Sequence, residues 1–205
     1  MIPIVYVVDD DISVREALEL LIRNAGWQPE LFESADEFLS RPRAAAPSCL
    51  VLDVTLPGLN GLELQQRVAD QAGLPIIFIT GHGDVPMTVR AMKAGAVEFL
   101  TKPFAGNVLL SAIRQALDES AAALAREAEM QSLRQRHASL TRRERQVMAL
   151  VVRGLLNKQV GGELGINEVT VKGHRTRMMR KMKARRLPDL VNMAARLQVD
   201  STQHD

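Results

Sequence analysis

The chain has 205 residues, of which 46% are apolar and only 3% aromatic, with a single cysteine. That length suggests roughly two domains with cores of Ala, Val, Leu, Ile and Met. The lone Cys49 excludes a disulfide framework and fits a reducing cytoplasm, and no run approaches the ~20 continuous apolar residues of a membrane span. The N-terminus lacks the charged and apolar regions of a signal peptide. A net charge of +2 hides a split: residues 1–118 carry 9 Lys or Arg against 15 Asp or Glu, whereas residues 119–205 carry 17 against 9. An acidic half suits cation and phosphate-transfer chemistry and a basic half suits a polyanion, so the two halves are expected to meet different partners.

In chain order, Ile4–Val8, Gln28–Phe32, Cys49–Val54, Pro75–Thr80 and Glu98–Leu100 read as five short strands, separated by stretches of helical period such as Ala17, Leu18, Leu21, Ile22 and Ala25. Two of these stretches open with a capping-box pattern, Ser13-x-x-Glu16 and Ser34-x-x-Glu37, and Gly26 offers a stop for the first. Such alternation predicts a doubly wound α/β fold, a five-stranded parallel sheet covered on both faces, with its functional edge at the C-terminal ends of the strands. Asp9, Asp10 and Asp11 follow the first strand, Asp53 ends the third, Thr80 ends the fourth and Lys102 follows the fifth. Carboxylates from neighbouring strand ends repel unless a cation joins them, and an oxygen-only donor set favours Mg²⁺ or a similar hard ion such as Mn²⁺. Asp11 reads as a helix-start acid, and His82 beside the pocket reads as a loop side chain.

These spaced positions resemble the receiver domain of two-component response regulators over residues 1–118. The stretch Thr80-Gly81-His82-Gly83-Asp84-Val85-Pro86-Met87, with Lys102-Pro103-Phe104, resembles the FixJ subfamily. The resemblance implies that Asp53 accepts a phosphoryl group from a histidine kinase. It implies that Asp10, Asp53 and the Thr55 backbone carbonyl hold the metal, with Asp9 acting through water. It further implies that Lys102 pairs with a phosphoryl oxygen, that Thr80 and Phe99 form a switch, and that Lys102-Pro103 is cis.

Residues from about Asn107 to Arg136 contain no Pro or Gly and are rich in strong helix formers, which predicts a last receiver helix running on into a polar helical linker, residues 119–138. The partial stripe Ile113, Leu117, Leu124 does not sustain a coiled coil. A third domain segment, 139–205, begins with the capping-box pattern Thr141-x-x-Glu144 and places helices to about Gly154, over Lys158 to Leu164, and from Glu168 behind the N-cap Asn167. Two short helices around Gly165 predict a helix-turn-helix, and the family resemblance set out below implies that it sits in an all-α four-helix helix-turn-helix domain. On the third helix Val171, Met178 and Met182 share a core face, with His174 or Arg175 filling the gap, while residues 172–186 hold eight basic residues and no acid.

The words Leu140-Thr141-x-Arg143-Glu144, Gly154-Leu155-x-Asn157-Lys158 and Thr170-Val171-Lys172-x-His174 resemble the LuxR-type DNA-binding domain of the FixJ and NarL regulators. The resemblance implies that Lys172, Gly173 and Thr176 face base edges, that Arg177, Arg180 and Lys158 grip phosphate, and that Thr170 and His174 belong to the same DNA-binding face. Gly161-Gly162 departs from the family's small helix formers. The expected protein is a transcription regulator that dimerises on phosphorylation, binds double-stranded promoter DNA and acts on RNA polymerase from the cytoplasm, without enzymatic turnover of its own beyond slow autodephosphorylation. A phosphohydrolase using Asp53 would want a second acid two residues on, where Thr55 stands. An RNA-binding role lacks the aromatic residues for base stacking.

Overall fold

The structure, a computed structural model, describes residues 2–69, 73–81 and 83–198. The chain forms two compact units, residues 1–126 and 127–205. The first alternates β1 (Ile4–Val8), α1 (Ile12–Asn24), β2 (Gln28–Phe32), α2 (Ala35–Ser40), β3 (Ser48–Asp53), α3 (Gly61–Val68), β4 (Ile76–Thr80), α4 (Val85–Lys93) and β5 (Glu98–Thr101), and α5 (Gly106–Ala138) contributes to both units. All five strands are parallel, in the order β2-β1-β3-β4-β5.

The apolar runs become strands because β1, β3 and β4 are buried on both faces, as parallel sheets require. Side-chain alternation divides β1 between two cores. Tyr6 and Val8 join Phe32, Phe38 and Leu52 on one face, and Val5 and Val7 join Ile22, Ile79 and Ile113 on the other. Register then fixes the functional edge. Val8 lies beside Leu52 and Asp53 beside Ile79, so Asp9 emerges one residue past the β1–β3 pairing next to Asp53. Strand order reverses at β1 and β3, and in open α/β sheets ligands bind at such a reversal.

Two helix starts differ from expectation. The N-cap of α1 is Asp11, whose carboxylate accepts from the Ser13 N–H at 2.8 Å, so Ser13 lies inside the first turn and makes no capping box with Glu16. At α2 Ser34 caps the Glu37 N–H, but the Glu37 carboxylate takes the N–H of Glu33 instead of returning to Ser34. Gly26 does stop α1, in the left-handed region with φ +87°.

The second unit holds α6 (Arg142–Val152), α7 (Asn157–Leu164), α8 (Glu168–Met182) and α9 (Leu187–Arg196). The expected box at Thr141 and Glu144 is complete, and Gly165, at φ +64°, makes the turn between α7 and α8. Val147, Met148, Val160, Val171, Met178, Met182 and Leu190 form its core, joined by Leu133 from α5. The segment expected as a linker, 119–138, is therefore not uniformly polar and unengaged. Ser120 is buried, its hydroxyl accepting from the Ser48 N–H and donating to the Gly73 carbonyl of the first unit. Leu133 is buried in the second unit. Neither attachment was legible, because a single serine and a single leucine do not make a stripe.

Candidate functional site

At the C-terminal edge of the sheet Asp9 is fully buried and Asp53 nearly so, while Asp10 is exposed. One carboxylate oxygen from each of the three lies within 4.8 Å of the others. Lys102, carried past the end of β5 and anchored through its N–H to the Thr80 carbonyl at 2.7 Å, places Nζ 2.6 Å from Asp9 Oδ2 and 2.6 Å from Asp53 Oδ2. Asp9 and Asp53 each accept one further backbone N–H, from Asp11 at 2.9 Å and from Thr55 at 2.8 Å. The Lys102–Pro103 bond is cis.

Burial pushes the Asp9 carboxyl above its ordinary range, and this outweighs the hydrogen bonds from Lys102 and Asp11 that oppose it. Burial alone would lower the Lys102 ammonium, but its hydrogen bonds to Asp53 and Asp9 raise it, so it is charged. Three carboxylates against one ammonium leave the pocket short of positive charge. The donor set is all oxygen, so its chemistry fits a hard divalent cation such as Mg²⁺.

Thr80 is buried at the end of β4, and Thr55 is exposed beside Asp53. Phe99 is half buried, its ring centroid 6.0 Å from that of Phe78. His82 lies outside the described residues. Two glycines that sequence reasoning passed over hold the site in shape. A Cβ on Gly61 would overlap the Asp53 carbonyl oxygen, so the start of α3 packs directly on the backbone of the acceptor loop. A Cβ on Gly83 would stand 2.9 Å from Phe99 Cε1 and 3.3 Å from Thr80 Cγ2. The absence of a side chain there lets the loop after β4 lie against both residues.

In the second unit Thr170, Lys172, Thr176, Arg177 and Arg180 of α8 are exposed, as is Lys158 of α7, while Gly173 and His174 are half exposed. Lys172 pairs with Glu168 at 3.1 Å, and an Arg177 guanidinium nitrogen lies 3.1 Å from His174 Nδ1. The run of eight basic residues does not form one open face. Arg175, partly buried in the gap between Val171 and Met178, donates to Asn157 Oδ1 at 3.0 Å and ties α8 to α7. Lys181 reaches Glu144, a buried acid, at 2.6 Å and the Ser139 carbonyl at 3.1 Å. Periodicity placed neither, because a helix wheel shows direction but not what stands opposite. Of the departing glycines, Gly161 is demanded by packing, since a Cβ would meet the Ile166 carbonyl at 2.7 Å, whereas nothing lies within 4 Å of one on Gly162.

An acid pocket with its lysine at the reversal of a parallel sheet, carried on the same chain as a basic helix-turn-helix, is the arrangement of a regulator of transcription that joins a receiver-like sheet to a DNA-binding unit. Residues 5–114 match the response regulator receiver domain, and residues 138–194 match the bacterial regulatory proteins of the luxR family. The response regulator protein TodT of Pseudomonas putida is 46% identical over 195 residues, covering 95% of this chain and 86% of that protein. Nodulation protein W of Bradyrhizobium diazoefficiens is 48% identical, covering 97% and 88%. The transcriptional regulatory protein FixJ of the same species is 43% identical, covering 94% of each. The response regulator StyR superposes with a TM-score of 0.86 at 52% identity, covering 95% of this chain and 99% of that one. The structure of full-length FixJ from B. japonicum superposes at 0.56 and 42%, covering 96% and 98%. The chain belongs to the two-component response regulators that join a receiver domain to a LuxR-type DNA-binding domain. A receiver implies a sensor kinase partner, and a LuxR-type domain implies binding to DNA. Among the described residues no helix is long and apolar enough to cross a membrane.

Proposed function

We propose that Asp53 is the phosphoacceptor. A carboxylate oxygen of Asp53 attacks the phosphorus of a phosphohistidine on the sensor kinase, forming an acyl phosphate as the P–N bond breaks and the imidazole leaves with a proton. Asp9, Asp10, Asp53 and the Thr55 carbonyl would hold Mg²⁺ or Mn²⁺, which when bound supplies charge neutralisation to the phosphoryl oxygens. Lys102 transfers its pairing from the two carboxylates to one phosphoryl oxygen, as a compact point charge suits. The Thr80 hydroxyl donates to another oxygen, and the Phe99 ring follows it.

The single observation that carries this reading is the Lys102 ammonium 2.6 Å from both Asp9 and Asp53, a cation already held where a transferred anion would arrive. The movement of Thr80 and Phe99 biases the face formed by α4, β5 and α5 toward a homodimer. Val85, Val89 and Met92, exposed on α4, support that surface. The dimer places two copies of α8 on a two-part operator in promoter DNA, where Lys172, Gly173 and Thr176 face base edges and Lys158, Arg177 and Arg180 face phosphates, with Thr170 and His174 beside them. Bound there, in the cytoplasm, it engages RNA polymerase. The coupling is a population shift, bounded by the phosphoryl group's differential interaction with the two states. Wild-type protein incubated with a small phosphodonor and Mg²⁺ is expected to take up phosphate on a gel, and Asp53→Asn to take up none. Labelling of Asp53→Asn at the wild-type level would overturn the assignment.

A further inference from the structure

Val169, Gly173, Thr176 and Arg180 recur at i, i+4, i+7 and i+11 of α8, along the line opposite the buried Val171, Met178 and Met182. Val169 heads that line and is 77% exposed. A β-branched residue is a mediocre helix former, and an apolar side chain in water gains nothing from its position. Gly173 is equally unexplained by the fold. Its backbone is not in the left-handed region, and a Cβ there would meet only the flexible Arg177 guanidinium, at 3.7 and 3.9 Å. That is ordinary contact, unlike the overlap that demands glycine at 161. Alanine would suit an isolated domain better at both positions, so the reason for Val and Gly lies in what α8 docks against. Lys172, Thr176 and Arg180 around them make that partner a polyanion.

Resting on the DNA-binding reading of α8, we infer that Val169 reads the C5-methyl group of a thymine in the major groove. Gly173, one turn further on, gives α8 the clearance to sink to the depth at which a valine side chain reaches that methyl. Thymine alone among the bases presents a methyl group in that groove, and apolar contact is how a protein distinguishes it. N-terminal residues of a recognition helix are the ones that meet base edges. The valine thus adds to the polar contacts of Lys172 and Thr176 a contact that no basic residue can make.

The test uses the full chain treated with phosphodonor and Mg²⁺ and a random duplex library. The wild type is expected to enrich sites holding a fixed T·A pair, and deoxyuridine in place of that thymidine should weaken binding about fourfold, as ~0.8 kcal/mol per buried methyl implies. Val169→Ser, with an unchanged circular dichroism spectrum, should lose the preference at that pair alone and become indifferent to deoxyuridine. Gly173→Ala should melt no lower than wild type yet bind the selected site about tenfold more weakly, the scale of one lost base contact. If Val169→Ser keeps the thymine and its deoxyuridine penalty, the inference fails while DNA recognition stands. Wild-type affinity in Gly173→Ala would remove the clearance role, and failure of the wild type to enrich any duplex would overturn the reading beneath both.

Discussion

Replacing Lys102 by methionine removes the one ammonium that joins two buried carboxylates while keeping a flexible apolar stem of similar length. Asp9 is fully buried, Asp53 is 5% exposed, and the Lys102 side chain keeps 22% of its surface in water. Removing one partner of a buried ion pair costs about 3–5 kcal/mol, because the remaining charge stays uncompensated. The partial exposure of Lys102 puts the expected loss near ~3 kcal/mol. At a typical urea dependence of ~2 kcal/mol per M this moves the unfolding midpoint down by about 1.5 M. The assay is urea unfolding in chelator, followed by the fluorescence of Trp27, the chain's one tryptophan, which packs against the receiver core. Asp53→Asn is the control. It keeps the Asp9–Lys102 pair and relieves carboxylate repulsion, so its midpoint should stay within ~0.5 M of wild type. Mg²⁺ should restore more stability to Lys102→Met than to wild type, since binding to the folded state alone adds stability. Equal midpoints for Lys102→Met and wild type in chelator would refute the account of the pocket as a site held short of positive charge.

Glu144 is buried, and although burial alone would raise its carboxyl, the hydrogen bonds from Lys181 and Thr141 hold it below its ordinary value of 4.5. A carboxyl depressed in the folded state contributes stability above its unfolded value and loses it as pH falls through the folded one. Far-ultraviolet melts of wild type should therefore lose stability below about pH 4.5, a component that Glu144→Gln should lack if its melts are followed across the same range. Gly83→Ala places a methyl 2.9 Å from Phe99 Cε1. It should leave phosphate uptake at Asp53 intact and reduce the gain in operator affinity on phosphorylation, read by titrating labelled duplex with and without phosphodonor. Lys158→Ala and Arg180→Ala should weaken binding to every duplex alike and lower the slope of log affinity against log salt by about 0.9 each, where a base-reading residue would instead change the selected sequence.

The strands were legible because a parallel sheet buries both faces and so leaves apolar runs in the sequence. Their ends slipped by one residue where the pairing, not the hydropathy, decides. Pro75 has no N–H to give the ladder and β4 starts at Ile76, and Val54 already leaves β3 for the loop. Helix starts were less legible, for Ser13 and Asp11 both have capping side chains within one turn and only the backbone angles at Asp11 choose between them. The acidic cluster and Lys102 could be gathered from strand order alone. Gly61 and Gly83 could not, since what makes them necessary is another segment's backbone or ring arriving against them, and a glycine in a loop carries no mark of that approach. The basic run misled in part for the same reason. Arg175 and Lys181 read as members of a charged face until Asn157 and Glu144 are seen opposite them.

Among the described residues the buried acids fall into two sites, and these differ in how far their charge is balanced. Glu144 is one carboxylate. It closes the capping box at Thr141, binds Lys181 at 2.6 Å and has Arg177 Nε 3.7 Å away, so two cations and an N–H surround a single negative charge. Such a site is saturated and needs nothing further, which is why it pins α6 to α8 and offers no ligand a place. The pocket at the sheet edge holds three carboxylates to one ammonium, with Asp10 still open to solvent. Its charge is left unbalanced at the sheet edge where open α/β folds bind ligands. On the proposed reading a cation balances it, and that cation together with Lys102 makes room for an anion at Asp53. The same lysine–carboxylate contact is a rivet in one unit and, on the proposed reading, a receptor in the other, and the count of charges around it decides which.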